Sequence, residues 1–146
     1  MKKAIQNIFL FTFICLAGCT ISQYSIYNVK VDKVQEVQGK TKNQIFNRSL
    51  KWIALNTGWS KSVIDYKDSS VATIVVKSNV PAYDFTEIVH IPCIFEINIR
   101  DEKVNIIVTN NDMTNTFDKD GKRLFKENLE DICRDYFNYL NKSDDF

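Results

Sequence analysis

The strictest pattern in the chain is an alternation of apolar and polar residues between Phe85 and Arg100. Successive side chains of a β-strand point to opposite faces of the sheet, so this period of two predicts a long strand with one buried face. The apolar positions of the alternation are Val89, Ile91, Cys93, Phe95, Ile97 and Ile99. Pro92 has no N–H to donate, so its half of the strand is expected at a sheet edge or a bulge.

Two amphipathic helices are predicted on either side of this strand-rich centre. The first follows Thr41-Lys42-Asn43-Gln44, a capping-box pattern, and is expected to end near Gly58. The second is expected from about Leu124 to Asn141, because apolar residues recur there at helical spacing. Its stripe consists of Phe125, Leu129, Ile132, Cys133, Tyr136 and Leu140.

The other strands complete an α+β pattern. They are predicted within 29–37, 62–66 and 71–77, with 104–109 returning as a hairpin partner after a turn at 101–102. Loops are expected around Asn79-Val80-Pro81 and over residues 110–122. The order is then β-α-β-β-β-β-α, which predicts an antiparallel sheet of about five strands with both helices on one face.

Three stretches resemble a known family. They are Val34-Gln35-Glu36-Val37-Gln38-Gly39-Lys40-Thr41-Lys42, then Ile45-Phe46-Asn47-Arg48 with Lys51-Trp52, and then Val63-Ile64-Asp65-Tyr66-Lys67-Asp68. They are similar to uncharacterised bacterial lipoproteins grouped as domain of unknown function 4468, described as having a TATA-binding-protein-like fold. The resemblance covers about residues 30–110 and implies a curved antiparallel sheet with helices on one face. It brings no catalytic residues, and the chain departs from it at Val71-Ala72-Thr73, where relatives are expected to carry glycine.

The first nineteen residues predict export and lipidation. Lys2 and Lys3 precede an apolar run from Ile8 to Leu16, and Leu16-Ala17-Gly18-Cys19 reads as a lipobox. We therefore expect a signal peptide over 1–18 cleaved after Gly18, a lipid on Cys19, a tether over 19–28, and one domain over 29–146. The expected location is the bacterial cell envelope, on the periplasmic side of the outer membrane, because no acidic residue directly follows Cys19.

Two other readings of this segment are less favourable. A transmembrane helix needs about 20 apolar residues, and this run is roughly half as long. A plain secretory signal would share the charged start and the apolar core. The cysteine directly after Ala17-Gly18 favours lipidation over simple secretion, and two or three acyl chains would make the anchor effectively permanent.

Two further cysteines, Cys93 and Cys133, would lie in an oxidising compartment that permits a disulfide. Cys93 falls in a strand pattern and Cys133 in a helix pattern. Packed elements lie roughly 8–10 Å apart, whereas a disulfide needs α-carbons within about 7 Å. Two buried thiols are therefore favoured over a bridge, which stays an open alternative.

No residue pattern in the chain specifies a reaction, a metal or a cofactor. His90, the one histidine, lacks a cysteine or histidine at ligand spacing and is expected on the surface. Residues 116–127 place Asp118, Asp120, Gly121 and Glu127 at calcium-loop positions, but Thr116 stands where the pattern needs aspartate. Asp101 and Glu102 are adjacent in a turn and should point apart.

Charge excludes one class of partner. The formal net charge is +1, and removing the two signal lysines gives 17 − 18 = −1. A near-neutral domain has no electrostatic footprint for nucleic acid. Basic residues near the first helix (Lys40, Lys42, Arg48 and Lys51) could attract acidic lipid headgroups, but a solvated helix face is the simpler reading.

The leading functional expectation is a non-catalytic envelope lipoprotein that binds another protein, joined to the membrane by its lipid. Val71, Val75, Ile94 and Ile107 are expected to leave apolar side chains on the second face of the sheet, and such patches mark interaction sites. The alternative is a small-molecule or lipid carrier with a groove between sheet and helices. That alternative predicts a pocket lined by Phe95, Ile97 and Phe125.

Overall fold

The computed structural model describes residues 24–25, 29–56, 63–84, 87–110, 116–117 and 119–142. The predicted signal peptide, Gly18, Cys19 and the helix stop at Gly58 lie outside them. The described elements, in chain order, are β1 Tyr24–Ser25, β2 Lys30–Glu36, α1 Lys42–Leu55, β3 Val63–Asp68, β4 Thr73–Asp84, β5 Glu87–Arg100, β6 Lys103–Asn110, β7 Thr116–Phe117 and α2 Lys119–Asn141.

Five of the strands form one antiparallel sheet in the order β2-β6-β5-β4-β3. Both helices pack on the same face of this sheet, through buried residues such as Ile45 of α1 and Leu129 of α2. The predicted α+β class, the strand number and the element order of the sheet are confirmed.

The period-two pattern of β5 supplies the centre of the core. Ile91, Cys93, Phe95, Ile97 and Ile99 are all buried against the helices, whereas the residues between them are exposed or half-buried. Fully burying one such side chain stabilises the fold by about 1.5–3 kcal/mol as an upper bound. The helix-covered face of the sheet is therefore the main source of stability.

The half of β5 that contains Pro92 lies at a sheet edge, as predicted. The described ladder between β5 and β6 ends at the pair Cys93–Asn110, so among the described strands residues 87–92 pair only with β4. Pro92 has no N–H, and no described strand lies on that side of β5 to accept a hydrogen bond, so no ladder bond is lost.

The loop predicted at Asn79-Val80-Pro81 is wrong, because β4 continues through it to Asp84. The described ladder between β3 and β4 ends at Lys77, so Pro81 pairs with β5 alone among the described residues. Proline is tolerated there for the same reason as Pro92, and the side chain of Asn128 donates to the Pro81 carbonyl at 2.9 Å. Residues 78–84 and 87–92 form a two-stranded arm that extends past the described pairing with β3 and β6.

The turn between β5 and β6 holds the start of α1. Thr41 caps the helix with Gln44 in the predicted capping box. Asp101 adds a second cap, because its Oδ1 accepts from the backbone N–H of Lys42 at 2.7 Å. Glu102 accepts from the N–H of Gly39 at 3.0 Å, and Gly39 has a φ of +70° that favours glycine. These contacts tie helix and hairpin together.

The end of α2 is held by α1. The guanidinium of Arg48 donates to the carbonyls of Tyr139 at 2.7 Å and Lys142 at 2.9 Å, which are among the orphan acceptors of a helix C-terminus. The same group lies 5.4 Å from the centre of the Tyr139 ring. Arg48 therefore acts as a cap supplied by the neighbouring helix.

The contact between the helices is polar at one point. The hydroxyls of Ser49 and Tyr136 are 2.7 Å apart, and Ser49 also donates to the Ile45 carbonyl. Both residues are fully buried, and the Trp52 ring packs edge-on against Tyr136 at 5.0 Å. Burial raises the pKa of the Tyr136 phenol well above its ordinary value.

Two features differ from the sequence expectations around the termini. Tyr24–Ser25, inside the predicted tether, pairs antiparallel with Thr116–Phe117.

Helix α2 begins at Lys119, not near Leu124, so Asp120 and Gly121 lie in its first turn. An acidic residue there is favourable to the helix dipole, which outweighs the turn tendency of the Asp-Gly pair.

Cys93 and Cys133 are both buried thiols and form no disulfide, as favoured from the sequence. Burial raises the pKa of the Cys133 thiol to about 12. None of the described helices combines the length and the apolar character needed to cross a membrane.

Candidate functional site

The face of the five-stranded sheet opposite the helices is the candidate site, and we call it the open face. Strand register assigns its members from four strands: Lys30, Asp32, Val34 and Glu36 of β2; Lys103, Asn105, Ile107 and Thr109 of β6; Ile88, His90, Pro92, Ile94, Glu96, Asn98 and Arg100 of β5; and Thr73, Val75, Lys77, Asn79, Pro81 and Tyr83 of β4. Each is exposed or half-buried, whereas most of the neighbouring residues on the covered face are buried.

Apolar side chains recur along the open face. Val34 is 54% exposed, and Val75, Ile94 and Ile107 are half-buried beside polar neighbours. Val71 is 61% exposed, but it lies in the turn before β4 and not on a strand. The sequence prediction of apolar side chains on the second face is thus confirmed for the three strand residues.

The two-stranded arm adds an exposed apolar pair. Tyr83 and Ile88 are direct cross-strand neighbours, and they are 71% and 56% exposed. The opposite side of the arm is buried through Val80, Ala82 and Ile91. The arm therefore continues the alternation of buried and exposed residues, and the apolar side chains on its open side are exposed to solvent.

Charges on the open face are mixed in sign. Lys30 pairs with Asp32 at 3.4 Å, and Lys77 pairs with Asp65 of β3 at 3.0 Å. All four side chains are about half exposed, so each pair contributes little to stability. This mixed pattern gives no basic surface of the kind that nucleic acid requires.

A groove of about 450 Å³ lies at the end of the open face nearest the β5–β6 turn, and we call it the Arg100 groove. Its lining residues are Val34, Val71, Asn98, Ile99, Arg100, Lys103 and Asn105. The register of β2, β6 and β5 explains why these residues lie together. One cross-strand row joins Val34, Asn105 and Asn98, and the next row joins Glu36, Lys103 and Arg100.

The polar groups of the Arg100 groove differ in how they are satisfied. Asn98 accepts from the Thr73 hydroxyl at 2.9 Å and donates to Glu96 at 2.8 Å. By contrast, the buried Oδ1 of Asn105 has no hydrogen-bond partner among the described residues. Arg100 and Lys103 face each other across the ladder, and neither forms a salt bridge within the described part of the chain.

Comparisons with known proteins decide the family. Residues 32–114 match the family model described as a domain of unknown function (DUF4468) with TBP-like fold. The chain belongs to this DUF4468 family. The resemblance read from the sequence is therefore confirmed, over nearly the same residues.

Two solved structures share the fold. A TBP-like protein from Parabacteroides distasonis has 20% identity and a TM-score of 0.62, over 80% of this chain and 95% of that one. A DUF4468 family protein from Bacteroides ovatus has 12% identity and a TM-score of 0.55, over 82% of this chain and 90% of that one. No curated protein matches the chain.

The acidic candidates in this DUF4468 domain have structural roles. Asp101 and Glu102 accept from two different backbone N–H groups, so they do not form an acid–base pair. Asp120 and Gly121 are helical, and Glu127 bonds Arg123 at 2.8 Å. This geometry is wrong for a calcium loop, although Asp118 lies outside the described residues. No group of three metal-ligating side chains occurs in the part of the chain that the structure describes.

Two of the four basic candidates, Arg48 and Lys42, have structural contacts, and the histidine lies on the surface. Arg48 holds the end of α2, and the ammonium of Lys42 donates to the Ser70 carbonyl at 3.3 Å. These contacts divide the predicted basic cluster between two sites. His90 is exposed on the open side of the arm, which agrees with a surface histidine.

The pocket required by the carrier hypothesis has no opening at its predicted lining. Phe95, Ile97 and Phe125 are 2%, 1% and 2% exposed, and all three belong to the continuous core. Their burial favours a packed core over a ligand groove between sheet and helices.

The Arg100 groove was missed by sequence reasoning. Arg100 and Asn98 lie on the predicted polar face of β5, which carries no signal distinguishing a binding group from a solvated one. Only the register places Asn105 beside Asn98 and Lys103 beside Arg100. The like-charged pair around a two-residue turn is the signal that could have been noticed.

Proposed function

We propose that this DUF4468 protein is a lipid-anchored accessory module of the bacterial envelope, without catalytic activity, whose open face binds another envelope protein. The observation that carries the binding part is the open face itself. Both described helices lie on the other side of the sheet, and Val34, Tyr83 and Ile88 remain more than half exposed. Exposed apolar groups rimmed by polar ones are typical of protein interaction sites.

The anchor part is supported by the sequence pattern that ends in Cys19. Acyl chains on Cys19 would hold the domain at a membrane surface, and we propose the periplasmic side of the outer membrane. A tethered domain meets its partner at a high effective concentration, so a modest interface is sufficient.

Labelling with a radioactive fatty acid in cells tests the anchor. We expect Cys19→Ala to lose the label and to leave the membrane fraction, because the acylated sulfur is removed. Cys15→Ala is the matched control, since it changes a cysteine four residues upstream and should keep the label. Persistent labelling of Cys19→Ala would contradict the anchor.

Site-specific photo-crosslinking in living cells tests the binding face. A photoreactive residue in place of Ile94 should form one dominant crosslinked product with another protein. The matched control is the same residue in place of Lys126, which is exposed on the outer side of α2. Equal products from both positions, or none from position 94, would contradict binding at the open face.

The carrier hypothesis is kept as an alternative outcome only. Native mass spectrometry of the purified chain would show an added mass if a lipid or metabolite were held in the core. We expect no added mass beyond the acyl groups, because the residues that would line such a pocket are buried together.

A further inference from the structure

Two features of the Arg100 groove cost stability. Arg100 and Lys103 are direct cross-strand neighbours with the same charge, which is an unfavourable pair in an antiparallel ladder. The Oδ1 of Asn105 is buried without a partner among the described residues, and such an atom loses its hydration without replacement. Both costs fall on adjacent rows of one depression.

The chemistry of these groups defines a complementary ligand. Arg100 and Lys103 supply donors and positive charge. Val34 and Val71 form apolar walls that are 54% and 61% exposed. A ligand that fits must therefore combine an anion with a small apolar group.

A carboxylate suits the site better than a phosphate. The planar guanidinium of Arg100 matches the two oxygens of a carboxylate. Glu36 lies opposite Lys103, and the carboxylate of Glu96 is held by Asn98, so carboxylates near the groove offset the charges of Arg100 and Lys103. Acceptor oxygens and nearby carboxylates repel a doubly charged group more strongly than a singly charged one.

We propose that the Arg100 groove binds a carboxylate of a peptide segment, with Arg100 and Lys103 holding the anion. This deepens the proposed function and rests on it, because it assigns the carboxylate to the protein partner of the open face. The groove volume of about 450 Å³ accommodates about two residues of such a segment.

The test uses the ¹⁵N-labelled full-length chain and the probe acetyl-Ala-Glu-amide. We expect saturable amide shifts at positions 98–105, with a Kd on the order of 1 mM, as is typical for a ligand of this size. Acetyl-Ala-Gln-amide has the same shape without the charge, and its shifts should be at least fivefold smaller at equal concentration. Acetyl-Ala-Ala with a free C-terminus distinguishes a terminal carboxylate from a side-chain carboxylate.

Variants locate the contacts. Arg100→Gln and Lys103→Gln should each weaken binding of the glutamate probe at least fivefold while keeping the spectrum of a folded chain. Lys77→Gln is the matched control, because Lys77 is also on the open face but pairs with Asp65. It should bind the probe as the original chain does.

Equal binding of the glutamate and glutamine probes, or unchanged binding by Arg100→Gln and Lys103→Gln, would overturn the proposal for the groove. That result would leave crosslinking from position 94 unaffected, so the failure of this site is distinguishable from failure of the open face as an interface. Inorganic phosphate shifting the same amides more strongly than the glutamate probe would also overturn the assignment to a carboxylate.

Discussion

The two faces of the sheet are made from the same strands, yet they differ in burial and in composition. On the covered face, Ile97 lies between Ile74 and Ile106, and all three are almost completely buried. One residue away on the open face, Glu96 lies between Val75 and Ile107, and apolar and charged groups alternate. Folding alone explains the burial of apolar side chains on the covered face. The open face contains exposed apolar groups, a like-charged pair and an unsatisfied amide oxygen, none of which stabilises the fold.

The comparison teaches where function is to be sought in this DUF4468 domain. Natural proteins depart from the rules of packing and charge pairing mainly at functional sites, and the like-charged pair Arg100–Lys103 lies on the open face.

The largest expected effect is on the covered face. Ile97→Ala should lower the free energy of unfolding by about 2–5 kcal/mol, because it opens a cavity in the packed core. Ile94→Ala, on the open face of the same strand, should cost less than about 1 kcal/mol, since half-exposed groups lose little on truncation. Urea unfolding measures both values. Equal costs would mean that the open face is covered in the isolated chain.

The polar contact between the helices should give the next effect. Ser49→Ala should cost about 1–3 kcal/mol, because the buried hydroxyl of Tyr136 then loses its partner. In a double-mutant cycle with Tyr136→Phe, we expect the two costs to be strongly non-additive. Additive costs would show that the hydroxyls act independently.

The covered face should also be sensitive to alkaline pH. The folded pKa of Cys133 is raised from 9.0 to about 12, so the unfolded chain releases this proton first. Stability from this group is complete below pH 9 and is lost as pH rises toward 12, with a slope of up to about 1.4 kcal/mol per pH unit. Urea unfolding between pH 8 and 10 should show this slope, and Cys133→Ala should flatten it. An unchanged slope in the variant would contradict burial of the thiol.

Removing the helix cap supplied by the β5–β6 turn should lower the free energy of unfolding by a smaller amount. Asp101→Ala should cost about 1 kcal/mol, because the N–H of Lys42 at the start of α1 loses an acceptor. Glu36→Ala, on the outer strand nearby, should change stability by less than about 0.5 kcal/mol. Thermal unfolding of both variants provides the comparison, and an equal loss would argue against the cap.

The smallest expected effect has the opposite sign. Asn105→Val should leave stability unchanged or raise it by about 1 kcal/mol, because it removes an unsatisfied buried oxygen and adds a β-branched residue to a strand. Denaturant unfolding against the original chain measures it. A loss above about 1 kcal/mol would show that Asn105 has a structural partner.

The sequence was sufficient where a pattern reflected burial. The alternation of β5 and the stripe of α2 report which side of each element meets the core, and the structure agrees. The capping box at Thr41 reports where α1 begins, and Pro92 reports a strand side without a described partner. Proline and Asp-Gly gave wrong boundaries at β4 and α2. Their local preference was overridden because Pro81 falls where its N–H side has no described partner strand, and Asp120 falls where a helix dipole favours an acid.

The candidate site could be predicted only in outline. Val75, Ile94 and Ile107 were expected on the second face because period two applies to any strand. The Arg100 groove depends on strand order and register, which place Val34 of β2 beside Asn105 of β6. Register over such sequence distances is set by the whole sheet, and the like-charged pair around the β5–β6 turn identifies only Arg100 and Lys103, not Val34 or Asn105.

Cysteine accessibility at Val34 tests the central claim most directly. Val34→Cys should react with a membrane-permeable maleimide in the purified chain, and the native Cys93 and Cys133 contribute little because both are buried. We predict that the same position is protected in intact cells, whereas Lys126→Cys on the outer side of α2 reacts equally in both settings. Equal labelling of position 34 in cells and in solution would contradict a bound partner on the open face.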